Sequence, residues 1–170
     1  MTEKQYKMPD YFSSDKIELL HAMPAHFLNL EKLLQDNRAD VDSGFSASLS
    51  AKEIAGMEDQ DPTRFYFVCY EKTGNKNIIG FIYVKFTDDE AYIGYLVDKN
   101  FRGKNMAKQM VQLIEDSIFE NNPTVKRSAL SMGGFNEASM KIAIKLGYQT
   151  KSDFTRKHNE YLRKEFFKDK

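Results

Sequence analysis

Three runs constrain this chain more than any other feature: RFYFVCY at 64–70, IIGFIYV at 78–84 and AYIGYLV at 91–97. Each is rich in β-branched and aromatic residues and apolar along nearly its whole length, not only at alternate positions. A strand of that kind needs cover on both of its faces. Only the short pieces EKTGNKN and KFTDDE, the second ending in the turn-forming TDDE, separate the runs. Connections that short join antiparallel neighbours, so the three are expected to form a meander.

The sequence also supplies the cover. Pro24 suits the first turn of a helix through PAHFLNLEKLLQDNR, where Phe27, Leu30, Leu33 and Leu34 make an apolar stripe. Ser50 and Glu53 have capping-box spacing, with Leu49 and Ile54 spaced as a hydrophobic staple, so a short helix is expected to end near Gly56. After residue 104 an amphipathic helix is expected. Ala107, Met110, Val111, Ile114 and Ile118 fall on its apolar side, and Lys104, Lys108, Gln112 and Glu115 on its polar side. NEASMKIAIKLGY reads as a further helix, capped by Asn136 and stopped by Gly147. DKIELLHAM holds a first strand, VKRSALSM follows Pro123 as another, and the tail segments YQTKSDF and NEYLRKEFF read as a last pair. The expected fold is α/β (α+β), a mixed and mostly antiparallel sheet with helices on both faces.

A length of 170 residues fits one domain over 1–170, with residues 1–14 as a flexible N-terminal segment. Formal net charge is zero, which argues against a nucleic-acid or acidic-membrane partner. No apolar run approaches the ~20 residues of a membrane helix, and the N-terminus has no apolar signal core. The lone Cys69 excludes an intrachain disulfide, so a cytoplasmic location is expected. Cys69 lies inside an apolar strand and reads as an inert core thiol. His21, His26 and His158 are scattered, and no metal is expected.

The meander runs directly into NFRGKNMAKQM, a basic, glycine-bearing turn at a helix start. Backbone N–H groups there have no intrahelical partner, and the helix dipole adds positive potential. That is an anion site in outline. Gly103 permits close approach, Asn105 tolerates a left-handed backbone, and Arg102 and Lys104 add charge. Neither the Gly-Lys-Ser/Thr loop nor the three-glycine dinucleotide fingerprint is present. From the turn alone, a solvated Arg-Gly loop remains an equal reading.

The second half of the pattern lies about thirty residues on. Arg102-Gly103-Lys104-Asn105-Met106-Ala107, then Asn136-Glu137-Ala138-Ser139, then Leu146-Gly147-Tyr148 occur in that order. Together they resemble the GNAT N-acetyltransferase superfamily, most closely its ribosomal-protein N-terminal acetyltransferase-like branch. The resemblance spans Ile78 to Tyr148, with Asn105 where the coenzyme A loop usually has glycine. It implies acetyl-CoA as acetyl donor and an amine acceptor, in a monomer or homodimer. It also implies a splayed sheet, in which the strand ending at Val97 leaves the 125–132 strand and the pantetheine arm enters the gap. Backbone groups of Leu96 and Val97 would bind pantetheine. Those of Arg102, Gly103, Lys104, Asn105, Met106 and Ala107 would hold the pyrophosphate, and Asn136 would contact the pantetheine region. The family's usual tyrosine acid falls at Ala143, so Ser139 takes its place beside the sulfur, on the side of the helix shared with Ala143. A local capping role for Ser139 is the alternative. The branch's strand glutamate falls at Tyr92. Glu90 lies two residues earlier, either as a base acting through water or, by preference, as a solvated hairpin charge. These substitutions keep a second function open: a non-catalytic acyl-CoA-binding sensor of the same fold.

Overall fold

The computed structural model describes residues 6–37, 61–158 and 161–170, with backbone alone for 151–158 and 161–162. The helix expected around Ser50 and Glu53 lies outside the described residues. Eight strands form one sheet: β1 (Tyr11–Ser13), β2 (Ile17–His21), β3 (Arg64–Glu71), β4 (Ile78–Thr87), β5 (Glu90–Val97), β6 (Arg127–Gly133), β7 (Gln149–His158) and β8 (Tyr161–Asp169). Their spatial order is β1-β2-β3-β4-β5-β6-β8-β7. The β3–β4–β5 meander is antiparallel throughout, as its short connections require. Among the described residues, only the β5–β6 contact is parallel. Its crossover is the helix α2 (Met106–Asn121).

Each face of the meander has its own cover. The helix α1 (Phe27–Asp36), entered through a 3-10 turn at Pro24–His26, turns Phe27, Leu30, Leu33 and Leu34 onto Tyr66, Val68, Phe81 and Leu96. All four stripe residues are buried, each contributing about 1.5–3 kcal/mol over an exposed position. At the entry, the Met23 N–H donates to His26 Nδ1 at 3.0 Å. Burial, with the charge of His21, lowers the His26 pKa, which favours the neutral ring that this bond requires. The opposite face packs Ile82, Val84, Ile93 and Val97 against Met110, Val111 and Ile114 of α2. The helix α3 (Glu137–Lys145) joins that core through Ala143.

The strand Tyr11–Ser13 was not foreseen in the sequence; it pairs with β2, Tyr6 stacks on Phe86 at 4.4 Å, and the Lys7 backbone exchanges two hydrogen bonds with the Asn122 amide. One expectation is corrected.

Glu115 is not on the polar face of α2. Its side chain is 6% exposed and pairs with Lys168 Nζ of β8. Ser128 Oγ lies 3.3 Å from its carboxylate and 2.9 Å from Tyr148 Oη. Helical periodicity marks the angular position of Glu115, but the return of β8 beside β6 buries it. The same burial, followed by the Glu115 charge, pushes the Tyr148 phenol well above its ordinary range.

Candidate functional site

β5 and β6 pair from Glu90↔Arg127 to Ile93↔Leu130 and then separate. Beyond Ile93, among the described residues, β6 no longer pairs with β5. Gly94 stands where the strands part. A Cβ there would lie 2.2 Å from the Tyr83 ring, so the ring's close approach requires glycine.

The turn after β5 is held open by specific backbone geometry. Asp98 accepts from Asn100 N at 2.8 Å and caps a 3-10 turn at Lys99–Phe101. Gly103 then adopts φ +77 and Asn105 φ +62, the left-handed values that glycine and asparagine tolerate. A Cβ at Gly103 would meet nothing within 4 Å, so backbone conformation is the requirement here, alongside room for a ligand. Asn105 is the N-cap of α2, and its side chain makes no capping bond. The first N–H groups of this sixteen-residue helix therefore face the turn without intrahelical acceptors.

The gap and the turn open into one cavity of about 400 Å³, within the usual range for small-molecule sites. Tyr95, Leu96 and Val97 form its inner wall. Phe101, Arg102, Gly103 and Asn105–Lys108 form its floor, and Asn136, Ser139, Lys141, Ile142 and Lys145 close it from α3. Three lysines, Lys108, Lys141 and Lys145, line this one concavity in a chain whose formal charges cancel. Lys104 does not line the cavity; it is exposed, its Nζ 5.1 Å from the Phe101 ring centroid.

Leu96, Val97, Arg102, Gly103, Asn105, Met106, Ala107, Asn136 and Ser139 all meet at this cavity. Asn136 Oδ1 accepts from Ser139 N at 3.1 Å, capping α3 and leaving the Ser139 hydroxyl outside that bond. Ser139 also borders a smaller hollow of about 50 Å³ with Tyr83, Gly94, Ser131 and Arg163. Tyr95, Asn136 and Ser139 line both spaces, so Ser139 sits at their junction.

Other expected positions fall elsewhere. Ala143 is fully buried in the α2 side of the core and does not line the cavity with Ser139. Residues four apart differ by about 40° around a helix, and here that offset separates the cavity from the core. The Arg102 side chain turns inward: its Nε donates to the Val97 carbonyl at 3.0 Å and its Nη2 to Asn37 Oδ1 at 3.2 Å. Glu90 and Tyr92 lie toward the start of β5, roughly 16 and 10 Å along the strand from Tyr95. Tyr92 Oη donates to Glu90 Oε2 at 3.0 Å, and Glu90 Oε1 pairs with Arg127 at 3.5 Å. Cys69 is wholly buried, and burial pushes its thiol up to about 12.

Sequence reasoning missed Arg163 and Glu165, which are 7% and 5% exposed. Arg163 Nε donates to Ser131 Oγ at 3.0 Å and Nη2 to the Ser131 carbonyl at 2.7 Å, beside the smaller hollow. The alternation of Arg163 and Glu165 with Phe166 in the last strand was the available signal, because it puts both charges on one face.

A family model described as the acetyltransferase (GNAT) family matches residues 29–148. The chain belongs to the GNAT acetyltransferase family. Its fold matches that of RimL, a ribosomal L7/L12 alpha-N-protein acetyltransferase solved with coenzyme A, at TM-score 0.77 and 18% identity over 92% of this chain and 95% of that one. The ribosomal-protein-S5-alanine acetyltransferase from Vibrio fischeri matches at 0.77 and 16%, over 94% and 96%. A spermidine N-acetyltransferase from Vibrio cholerae, solved with CoA and spermine, matches at 0.77 and 13%, over 92% and 96%. At such identities the likeness is one of fold. No curated protein matches the chain in sequence. Among the described residues, no helix of this GNAT protein is long and apolar enough to cross a membrane.

Proposed function

We propose that this GNAT protein moves the acetyl group of acetyl-CoA directly to a primary amine, either a protein N-terminus or a small amine. One observation carries the reading: the β5–β6 gap and the glycine-bearing start of α2 open into a single cavity. The gap that opens between β5 and β6 beyond Ile93 suits the amide-bearing pantetheine arm. The exposed N–H groups from Gly103 to Ala107 suit a pyrophosphate, and the surrounding lysines supply matching charge.

In the transfer, the neutral amine nitrogen attacks the thioester carbonyl carbon, the C–S bond breaks, and the amine proton is released as the thiolate leaves. In this reading Ser139, which lines both spaces, donates a hydrogen bond to that sulfur. The smaller hollow beyond it, toward Arg163, is the side from which an acceptor would approach. An α-amine, with a reference pKa near 8 against roughly 10.4 for lysine, needs the least help to lose its proton. Neighbours of this fold that are named for a ribosomal protein and for spermidine are compatible with either acceptor class.

The test is calorimetry with acetyl-CoA, followed by thiol release across a panel of N-terminal peptides and polyamines. Binding with acceptor-dependent thiol release is the expected result. The second reading, an acyl-CoA sensor, is favoured by the engagement of Glu90 with Arg127 and Tyr92 away from the cavity. Tight binding with no release for any amine would select it, and no binding would remove both.

A further inference from the structure

Asn37 closes α1 and is 1% exposed. A side-chain amide offers two N–H donors and two acceptor lone pairs. Here all four are used. Nδ2 donates to the Leu33 carbonyl at 2.9 Å and to Asp98 Oδ2 at 3.2 Å. Oδ1 accepts from Lys99 N at 2.9 Å and from Arg102 Nη2 at 3.2 Å. One buried group thus fastens the end of α1 to three residues of the turn that leads from β5 into α2.

That turn needs an external anchor. Between Val97 and Met106 it contains one 3-10 turn and two left-handed residues, an arrangement that backbone hydrogen bonds alone specify weakly. Arg102 completes the lock, because the guanidinium that bonds Asn37 also bonds the Val97 carbonyl. Asp98 contributes from the other side. One carboxylate oxygen meets Asn37 and the other caps Asn100 N. Both walls of the donor cavity, the end of β5 and the start of α2, are therefore indexed to α1.

We propose that Asn37 is a positioning residue, which presets the phosphate-facing turn before the donor arrives. The proposal rests on the acetyl-CoA reading above for its consequence in binding, though not for the clamp itself. A preset turn spares the ligand the ordering of that segment. Loss of Asn37 therefore raises Kd for CoA and KM for acetyl-CoA, on the order of tenfold, which corresponds to about two lost hydrogen bonds. At saturation kcat stays within about twofold, because the reacting atoms are at the far end of the cavity.

The experiment compares Asn37→Ala, Asn37→Asp and the paired swap Asn37→Asp with Asp98→Asn. In Asn37→Asp the acceptor bonds to Lys99 and Arg102 survive, but a carboxylate faces Asp98 at the former amide contact. In the swap, the amide at position 98 donates to the carboxylate at position 37, and net charge is restored. CoA itself is the calorimetric probe. Hydrogen exchange of the Lys99–Asn105 amides in the ligand-free protein is the second readout. The expected result is weaker CoA binding and faster exchange in both single variants, with recovery of most of each in the swap. If the parent protein fails to bind CoA, the functional reading falls and the exchange data alone decide the clamp. Parental CoA affinity and exchange in a folded Asn37→Asp would overturn the inference. So would a swap no better than either single variant, or a fall in kcat with KM unchanged.

Discussion

Replacing Lys168 by methionine isolates the one buried charge that α2 carries into the core. The ammonium meets the Glu115 carboxylate, and it is 35% exposed while the carboxylate is 6% exposed. Breaking a buried pair from one side typically costs about 3–5 kcal/mol, because the remaining charge is stranded. The partial exposure of Lys168 lets water replace some of the lost attraction, which lowers the figure. Ser128 Oγ, 3.3 Å from the carboxylate, offers only a neutral donor. The expected loss is about 2–3 kcal/mol at pH 7, or roughly 5–10 °C in Tm for a chain of this size. Urea unfolding of Lys168→Met, Glu115→Leu and the double variant at pH 7 measures this. The double variant should be more stable than Lys168→Met, since it strands no charge. A loss under about 0.5 kcal/mol at pH 7, or one that persists undiminished in the double variant, would refute the reasoning.

Further outcomes follow from the site. Gly103→Val, forced to a φ of +77 that β-branched residues avoid, should weaken acetyl-CoA binding about tenfold or more and cost about 1–3 kcal/mol of stability; unchanged affinity in the folded variant would remove the turn from the donor site. Ser139→Ala should lower kcat, by about 10²-fold at most because a serine is a poor acid, and leave acetyl-CoA affinity nearly unchanged. A parental turnover rate would reduce Ser139 to a residue of the helix turn. Cys69 should resist iodoacetamide until the protein unfolds. Because its thiol is raised from 9.0 to about 12, the unfolded chain ionises first. That contribution to stability is absent below pH 9 and should destabilise the fold by up to ~1.4 kcal/mol per pH unit between pH 9 and 12. Cys69→Ala should flatten that slope, and an identical slope would show that the thiol does not ionise on unfolding.

Local chemistry wrote much of this protein into its sequence. The uninterrupted β-rich runs demanded a sheet covered on both faces, and α1 and α2 cover it. The apolar stripe Phe27, Leu30, Leu33 and Leu34, the left-handed Asn105 and the Asn136 cap were legible because each depends on neighbours within about one helical turn. So was the turn after β5, whose signal is a strand, a glycine and a helix start in immediate succession. What the sequence could not hold is the outcome of contacts between distant residues. Glu115 looked solvated until β8, some fifty residues later, closed over it. Ser139 and Ala143 shared a helix but not an environment, because packing set the rotation of α3. Asn37 carried no motif at all. Its role comes from Asp98, Lys99 and Arg102, more than sixty residues away, which meet it only when α1 lies across the end of β5. Periodicity and capping are local functions of sequence, whereas burial and hydrogen-bond partnership depend on which surfaces the whole chain brings together.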